Sequence, residues 1–340
     1  MEKRIEGGPV KSNLYLSRKD AIDFEKLNSE RKTIDTDLRS KRECIVLYPD
    51  SKNRLEKEIA ELHAKIPELD ALLAKEPPLP ELPPSQPLAK VSGVLEDIQT
   101  MTVIGYFSIR EYEPEAFARQ ASRRQWGSVL LAAIGESAAA SVNSQDEIRS
   151  DNVYHFIQGR INGKPFHGWT GMVTARPGDC VELAAVDKGS HFEVYALAIP
   201  ALRVISVMPR CDISIDAYIR SGMKITHGLL LIMFTLPAMA FLSTHDYAFP
   251  YPVGMLLLWF FLDVMAVEYS EYLERKNIKP PQKMAERIFA ALGFSTPSDV
   301  HLSAITRKKV KALRKSGITD HTHHDRVMPG LRGESDYFYY

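Results

Sequence analysis

Between Ile225 and His245 the chain runs for 21 residues without an Asp, Glu, Lys or Arg. As an α-helix such a run is roughly 31 Å long, close to the thickness of a bilayer's hydrocarbon core. Core helices of water-exposed domains rarely stay free of charge for so long. Phe249-Pro250-Tyr251-Pro252 then reads as a turn, and a second apolar stretch from Val253 to Val267 is interrupted only by Asp263. The pair predicts a two-helix transmembrane hairpin over 220–268, with Pro237 as a tolerated kink. Arg220 and Lys224 precede the first helix, Arg275, Lys276 and Lys279 follow the second, and the connecting loop has neither Lys nor Arg. The positive-inside rule then places both termini on the cytoplasmic side, with the lipid bilayer as first partner.

Asp263 has two readings. An ionisable group in an apolar helix costs a few kcal/mol on insertion scales and usually faces other helices or water. It either lines a path for ions or protons, or marks the aqueous flank that Glu268 and Glu271 begin. Two helices enclose no conduit, so a path requires a homo-oligomer.

The rest of the chain divides around this segment. Residues 1–76 read as a helical hairpin or coiled-coil-like region. Leu55, Ile59, Leu62, Ile66, Leu69 and Leu73 form a seam, Pro67 interrupts it, and Tyr48–Ser51 makes a turn. The seam is shorter than three heptads, which favours a hairpin folded on itself, serving as a cap or as a docking surface for a partner. Residues 77–87 hold six prolines, a stiff polyproline-II-like linker and a domain boundary.

From 88 to 210 the period shifts toward two. Asn162-Gly163 and Asp187–Ser190 are hairpin turns, Pro177-Gly178-Asp179 is another, and the span predicts a small antiparallel barrel or sandwich, with the oligonucleotide-binding barrel among the options. A helical insertion is expected at 112–150. Its small-residue stretch, including Gly135, Ser137 and Ser141, is either a helix over the barrel mouth or an assembly interface. Residues 269–340 read as a cytoplasmic basic helical tail. Arg307, Lys308, Lys309, Lys311, Arg314 and Lys315 are candidate contacts to anionic lipid, with a solvated helix face as the alternative. The fold class expected is therefore an α+β membrane protein: helical hairpin, small β-barrel or sandwich, two transmembrane helices and C-terminal helices.

The composition narrows the function. Forty-three basic residues balance 43 acidic ones, which argues against a nucleic-acid coat protein, so no nucleic-acid partner is expected. Cys44, Cys180 and Cys211 have no metal or redox spacing. His321, His323, His324 and Asp325 could hold a transition metal, but a His-rich run alone rarely makes a specific site, and neither metal nor cofactor is expected. His155, His167 and His191 lie near Cys180 in sequence, which raises a Cys/His nucleophile pair as a reading; packed histidines are the plainer one. There is no GxSxG, HExxH, Walker or dinucleotide fingerprint, so no catalytic residue is assigned. The charged start, Met1–Gly8, has no apolar core behind it, and no secretory signal is expected.

In layout the chain resembles a group of bacterial type VI secretion system effectors. The likeness rests on that start, on Thr174-Ala-Arg-Pro-Gly-Asp-Cys-Val-Glu-Leu183, on the apolar hairpin 225–267 and on its basic flank, and it covers roughly 88–295. The resemblance implies an antibacterial toxin delivered by a signal-less route to a rival's inner membrane, where it would oligomerise and disrupt ion gradients. It also implies a secretion chaperone or spike protein and a cognate immunity protein as partners. The alternative is a resident inner-membrane scaffold or immunity protein that binds a partner through its cytoplasmic domains.

Overall fold

The computed structural model describes residues 21–107, 112, 114, 119, 152–244, 250–316, 322–323, 326–330 and 336–340. Two antiparallel helices open the described chain, α1 (Phe24–Leu47) and α2 (Lys52–Leu73). Asp23 caps α1 by accepting the Lys26 N–H at 2.9 Å. Ile34, Leu38 and Leu69 bury a narrow seam between the helices, and Arg31 joins it by bonding Asp70. Pro67 was expected to kink the helix or start a new one, and α2 runs on through it as one helix.

Six strands follow: β1 (Ala89–Ile104), β2 (Val153–Ile161), β3 (Lys164–Thr170), β4 (Cys180–Asp187), β5 (Phe192–Ile199) and β6 (Val204–Val207). Five of them close a barrel in the order β1-β2-β3-β5-β4-β1, with β3 and β5 parallel at the closure. That is the strand order of the oligonucleotide/oligosaccharide-binding barrel. The long β1 serves two neighbours, pairing β4 through its first half and β2 through its second, with a register shift between Leu95 and Asp97. Gly159 sits opposite that shift, where a Cβ would lie 2.1 Å from the Asp97 carbonyl oxygen. At the parallel closure a Cβ on Gly168 would come within 2.0 Å of the Val194 oxygen. Only glycine lets these backbones approach.

Leu95, Ile157, Ile161, Phe166, Leu183 and Val194 fill the inside of the barrel. Its outer face carries a second core: Phe156, Trp169, Tyr195 and Val186 pack with Phe24, Phe107, Ile288 and Phe289. Beyond the barrel, β6 carries the sheet on to a last strand, Tyr337–Tyr339, which pairs Val204–Ser206. The aromatic tail is thus a strand, and it is numbered β9 because a short ladder of β7 (Thr322–His323) and β8 (Arg326–Val327) precedes it.

Four further helices complete the described chain: α3 (Ile215–Thr244), α4 (Pro250–Lys276), α5 (Pro280–Leu292) and α6 (Leu302–Lys315). Helix α5 starts on two prolines, ends on Gly293 in the left-handed region, and buries Met284, Ile288, Phe289 and Leu292 in the outer core. Helix α6 is anchored by Leu302, Thr306 and Val310, and the Thr306 hydroxyl accepts the Tyr339 N–H at 2.9 Å. The C-terminal helices are therefore part of the barrel's own core, not a separate tail.

The membrane expectation is overturned. Among the described residues no helix is long and apolar enough to cross a membrane. Helix α3 begins with Asp216, Arg220 and Lys224, and its first turns are built into the protein, with Ala217 and Ile219 buried. Helix α4 encloses Asp263 and ends through Glu268, Glu271, Glu274, Arg275 and Lys276. The two-span inner-membrane placement with both termini cytoplasmic falls with this finding, as does the membrane-protein fold class. What stands is an α+β chain built on a closed five-stranded barrel.

Candidate interaction site

Helices α3 and α4 form an antiparallel hairpin whose base is clasped to the body. The Ser214 hydroxyl accepts the Val300 N–H at 2.7 Å and donates to the Val300 carbonyl at 3.0 Å. Arg220 pairs with Asp299, and Arg275 reaches both Asp216 and Glu271. Away from this base the described side chains of the hairpin are largely apolar and exposed. Ile225, Leu229, Ile232 and Met233 on α3 are exposed, as are Leu257, Leu258, Phe260, Phe261 and Met265 on α4; Leu229 retains 63% of its accessible surface and Phe260 61%. Leaving such side chains in water forgoes roughly 25 cal/mol for each Å² that could be covered, and an apolar patch of this extent marks an interaction surface.

Asp263 lies inside the hairpin. Its carboxylate is buried to 7% exposure, and His227 Nδ1 on the facing helix stands 2.9 and 2.7 Å from its two oxygens. This is a cross-helix pair holding α3 and α4 in register, in the one place where the carboxylate can be desolvated and still bonded. Within one copy Asp263 therefore faces the partner helix of its own hairpin. Sequence reasoning missed His227, although it stands two residues into the uncharged run and was the only imidazole able to meet Asp263 from α3. The indole N–H of Trp259, one turn before Asp263, is buried and has no hydrogen-bond partner among the described residues.

The other predicted residues fall elsewhere. Gly135, Ser137 and Ser141 lie outside the described residues, as do His321, His324 and Asp325. On α6, Arg307, Lys308, Lys311, Arg314 and Lys315 are exposed, but Lys309 is turned inward, its ammonium 4.2 Å from the centre of the Tyr339 ring. Burial, then the nearby Arg203, hold that ammonium's pKa below its ordinary value. The six basic residues thus do not share one face.

Among the described residues no hydrogen bond joins Cys180 to His155, His167 or His191. Cys180 opens β4 on the surface, beside a small cleft of about 180 Å³ lined by Asp179, Ile199, Leu202 and Arg326. His155 points into the barrel end opposite Thr102 and Thr170, with neither ring nitrogen bonded among the described residues. Burial lowers its pKa to about 4, so it is neutral. His167 and His191 stack on each other, ring centres 4.5 Å apart. Cys211 is buried against Tyr112 and Pro209, and burial pushes its thiol far up, away from the reactive thiolate.

The segment Thr174–Leu183 closes one barrel end. Leu95 and residues 178–179 exchange two backbone hydrogen bonds of 2.8 and 2.7 Å, Thr174 bonds the Tyr337 hydroxyl at 2.7 Å, and Arg326 forks onto Asp179 at 2.6 and 2.8 Å. Burial pushes the Asp179 carboxyl up, but the Arg326 and Arg176 bonds outweigh it and hold the pKa below the ordinary value. The role of this segment is to lock the barrel. Among the described residues no group of His, Cys, Asp and Glu is placed to hold a metal ion.

No family model, no curated protein and no solved structure matches this chain.

Proposed function

We propose that this chain works by association and not by catalysis, with the α3–α4 hairpin as its working surface and a second copy of the same hairpin as its partner. The observation that carries this reading is the uncovered apolar surface on both arms around an internal His227–Asp263 bond. A partner for that surface has to bring a helical face of matching length without charge. The described half of α3 from Ile225 to Met233 and that of α4 from Leu257 to Leu262 are such faces. Two hairpins meeting across a two-fold axis make a four-helix bundle in which each arm covers the other copy's. The His227–Asp263 bond fixes the register of each hairpin before the two meet.

In the setting implied by the likeness to type VI effectors, the assembled hairpins are the harmful form of the protein. In the scaffold reading the same assembly is harmless. Co-expression of two differently tagged copies in a bacterium tests both. Capture of one copy by the other, abolished by Leu229→Glu with Phe260→Glu, supports association. Growth arrest that the same double variant relieves supports the effector reading, and normal growth supports the scaffold. Absence of co-capture with both copies folded overturns the proposal.

A further inference from the structure

The proline-rich stretch after α2 does more than connect. Residues 77–87 contain neither helix nor strand, and they lie across the outer face of β3 and β5. The Trp169 indole N–H donates to the Pro78 carbonyl at 2.8 Å, and the Tyr195 hydroxyl donates to the Glu81 carbonyl at 3.1 Å. These two carbonyls are three residues apart, one turn of a polyproline II helix, in which backbone carbonyls point outward with no partner inside the segment. Leu82 packs onto the outer core, Pro77 and Pro84 are buried, and Arg287 donates to the Pro84 carbonyl at 3.4 Å. Glu81 supplies polar specificity. Its N–H donates to Glu193 Oε1 at 3.1 Å, and its carboxylate takes Lys188 at 2.7 Å.

An indole N–H and a phenol hydroxyl aimed at carbonyls one turn apart on a proline-rich strand, over a floor of aromatic rings, is how polyproline segments are recognised between molecules. Tyr106 packs beside Trp169, its ring tilted by 40° with ring centres 5.0 Å apart, and completes that floor. We propose that the outer face of β3 and β5 is a receptor groove for proline-rich peptides, filled in cis by Pro77–Pro84. Both donors are buried and both are spent on linker carbonyls; a linker that only spanned a distance would need neither. The segment is tethered at both ends, so its effective concentration in the groove is high and it masks the site from peptides in solution. This inference does not depend on the hairpin reading.

The probe is a labelled synthetic peptide with the sequence of residues 76–87, followed by fluorescence anisotropy. In the full chain with 77–84 replaced by Gly and Ser of equal length, the peptide is expected to bind saturably, and at least tenfold more tightly than to the natural chain. Adding Trp169→Phe, which keeps the ring floor but removes the N–H, is expected to weaken that binding about tenfold. Where the replacement does not fold, Glu81→Ala, which removes the segment's ion pair with Lys188 and its bond from the Ser85 hydroxyl but leaves the Pro78 and Glu81 carbonyls in place, gives the same readout as a smaller gain over the natural chain. Failure of a folded variant of either kind to bind more peptide than the natural chain overturns the proposal, as does binding indifferent to Trp169→Phe.

Discussion

A buried imidazole with no partner is costly, and His155 gives that cost a pH signature. The folded chain holds it neutral down to about pH 4, whereas the unfolded chain protonates it near its ordinary value of 6.5. Below pH 6.5 the unfolded state therefore binds the extra proton, and stability falls as pH drops from 6.5 toward 4, by up to about 3 kcal/mol. His155→Leu is expected to flatten that limb of the stability profile in denaturant titrations between pH 7 and 4.5. A variant with an unchanged slope would show that the acid sensitivity comes from elsewhere. The His227–Asp263 pair behaves differently, because each member is the other's only bonded partner across the hairpin among the described residues. Asp263→Ala should destabilise α3 and α4 by about 1–2 kcal/mol, with His227→Leu combined with Asp263→Leu recovering most of that loss. Hydrogen exchange confined to 215–276 reads this effect, and equal exchange in Asp263→Ala and the natural chain would remove the pair's structural role.

At the scale of elements, the closure of the barrel depends on a side chain that is missing. Gly168→Ala places a Cβ against the Val194 carbonyl, and backbone cannot yield there without parting β3 from β5. A loss of about 3 kcal/mol is expected, read from the denaturation midpoint at constant slope; a change below about 0.5 kcal/mol would mean that the closure is looser than the geometry shows. Much of this barrel is legible in the chain. Asn162-Gly163 turns β2 into β3 with both residues at positive φ, and Gly189 turns β4 into β5. Strands β2 and β5 read as near-continuous apolar runs because both of their faces are buried, one inside the barrel and one in the outer core. The parallel β3–β5 pairing is not legible, since it joins strands 22 or more residues apart through no local signal. Nor is β9, three aromatic residues that become a strand only because β6 offers a free edge.

The helical hairpin shows the converse. Its two helices follow from the sequence, but the bond between them does not. His227 was the residue that mattered within the uncharged run, because its distance to Asp263 is set by how two helices pack and by nothing local. Likewise the linker's proline content predicts its stiffness, whereas the Trp169 and Tyr195 donors that hold it come from strands about 90 and 114 residues further on.

Across the whole molecule, the barrel, α5, α6 and β9 share two fused cores, one inside the barrel and one outside it. On this body the proline-rich strap covers one aromatic face, and the α3–α4 hairpin is left with its apolar sides uncovered. The barrel face is satisfied within one copy, and the hairpin is proposed to be satisfied between two. Sedimentation equilibrium of the full chain, beside the Leu229→Glu, Phe260→Glu variant, tests it most directly. A mass of at least twice 38.3 kDa is expected for the natural chain, and 38.3 kDa for a variant with unchanged circular dichroism. A natural chain that stays at 38.3 kDa across the micromolar range would contradict it.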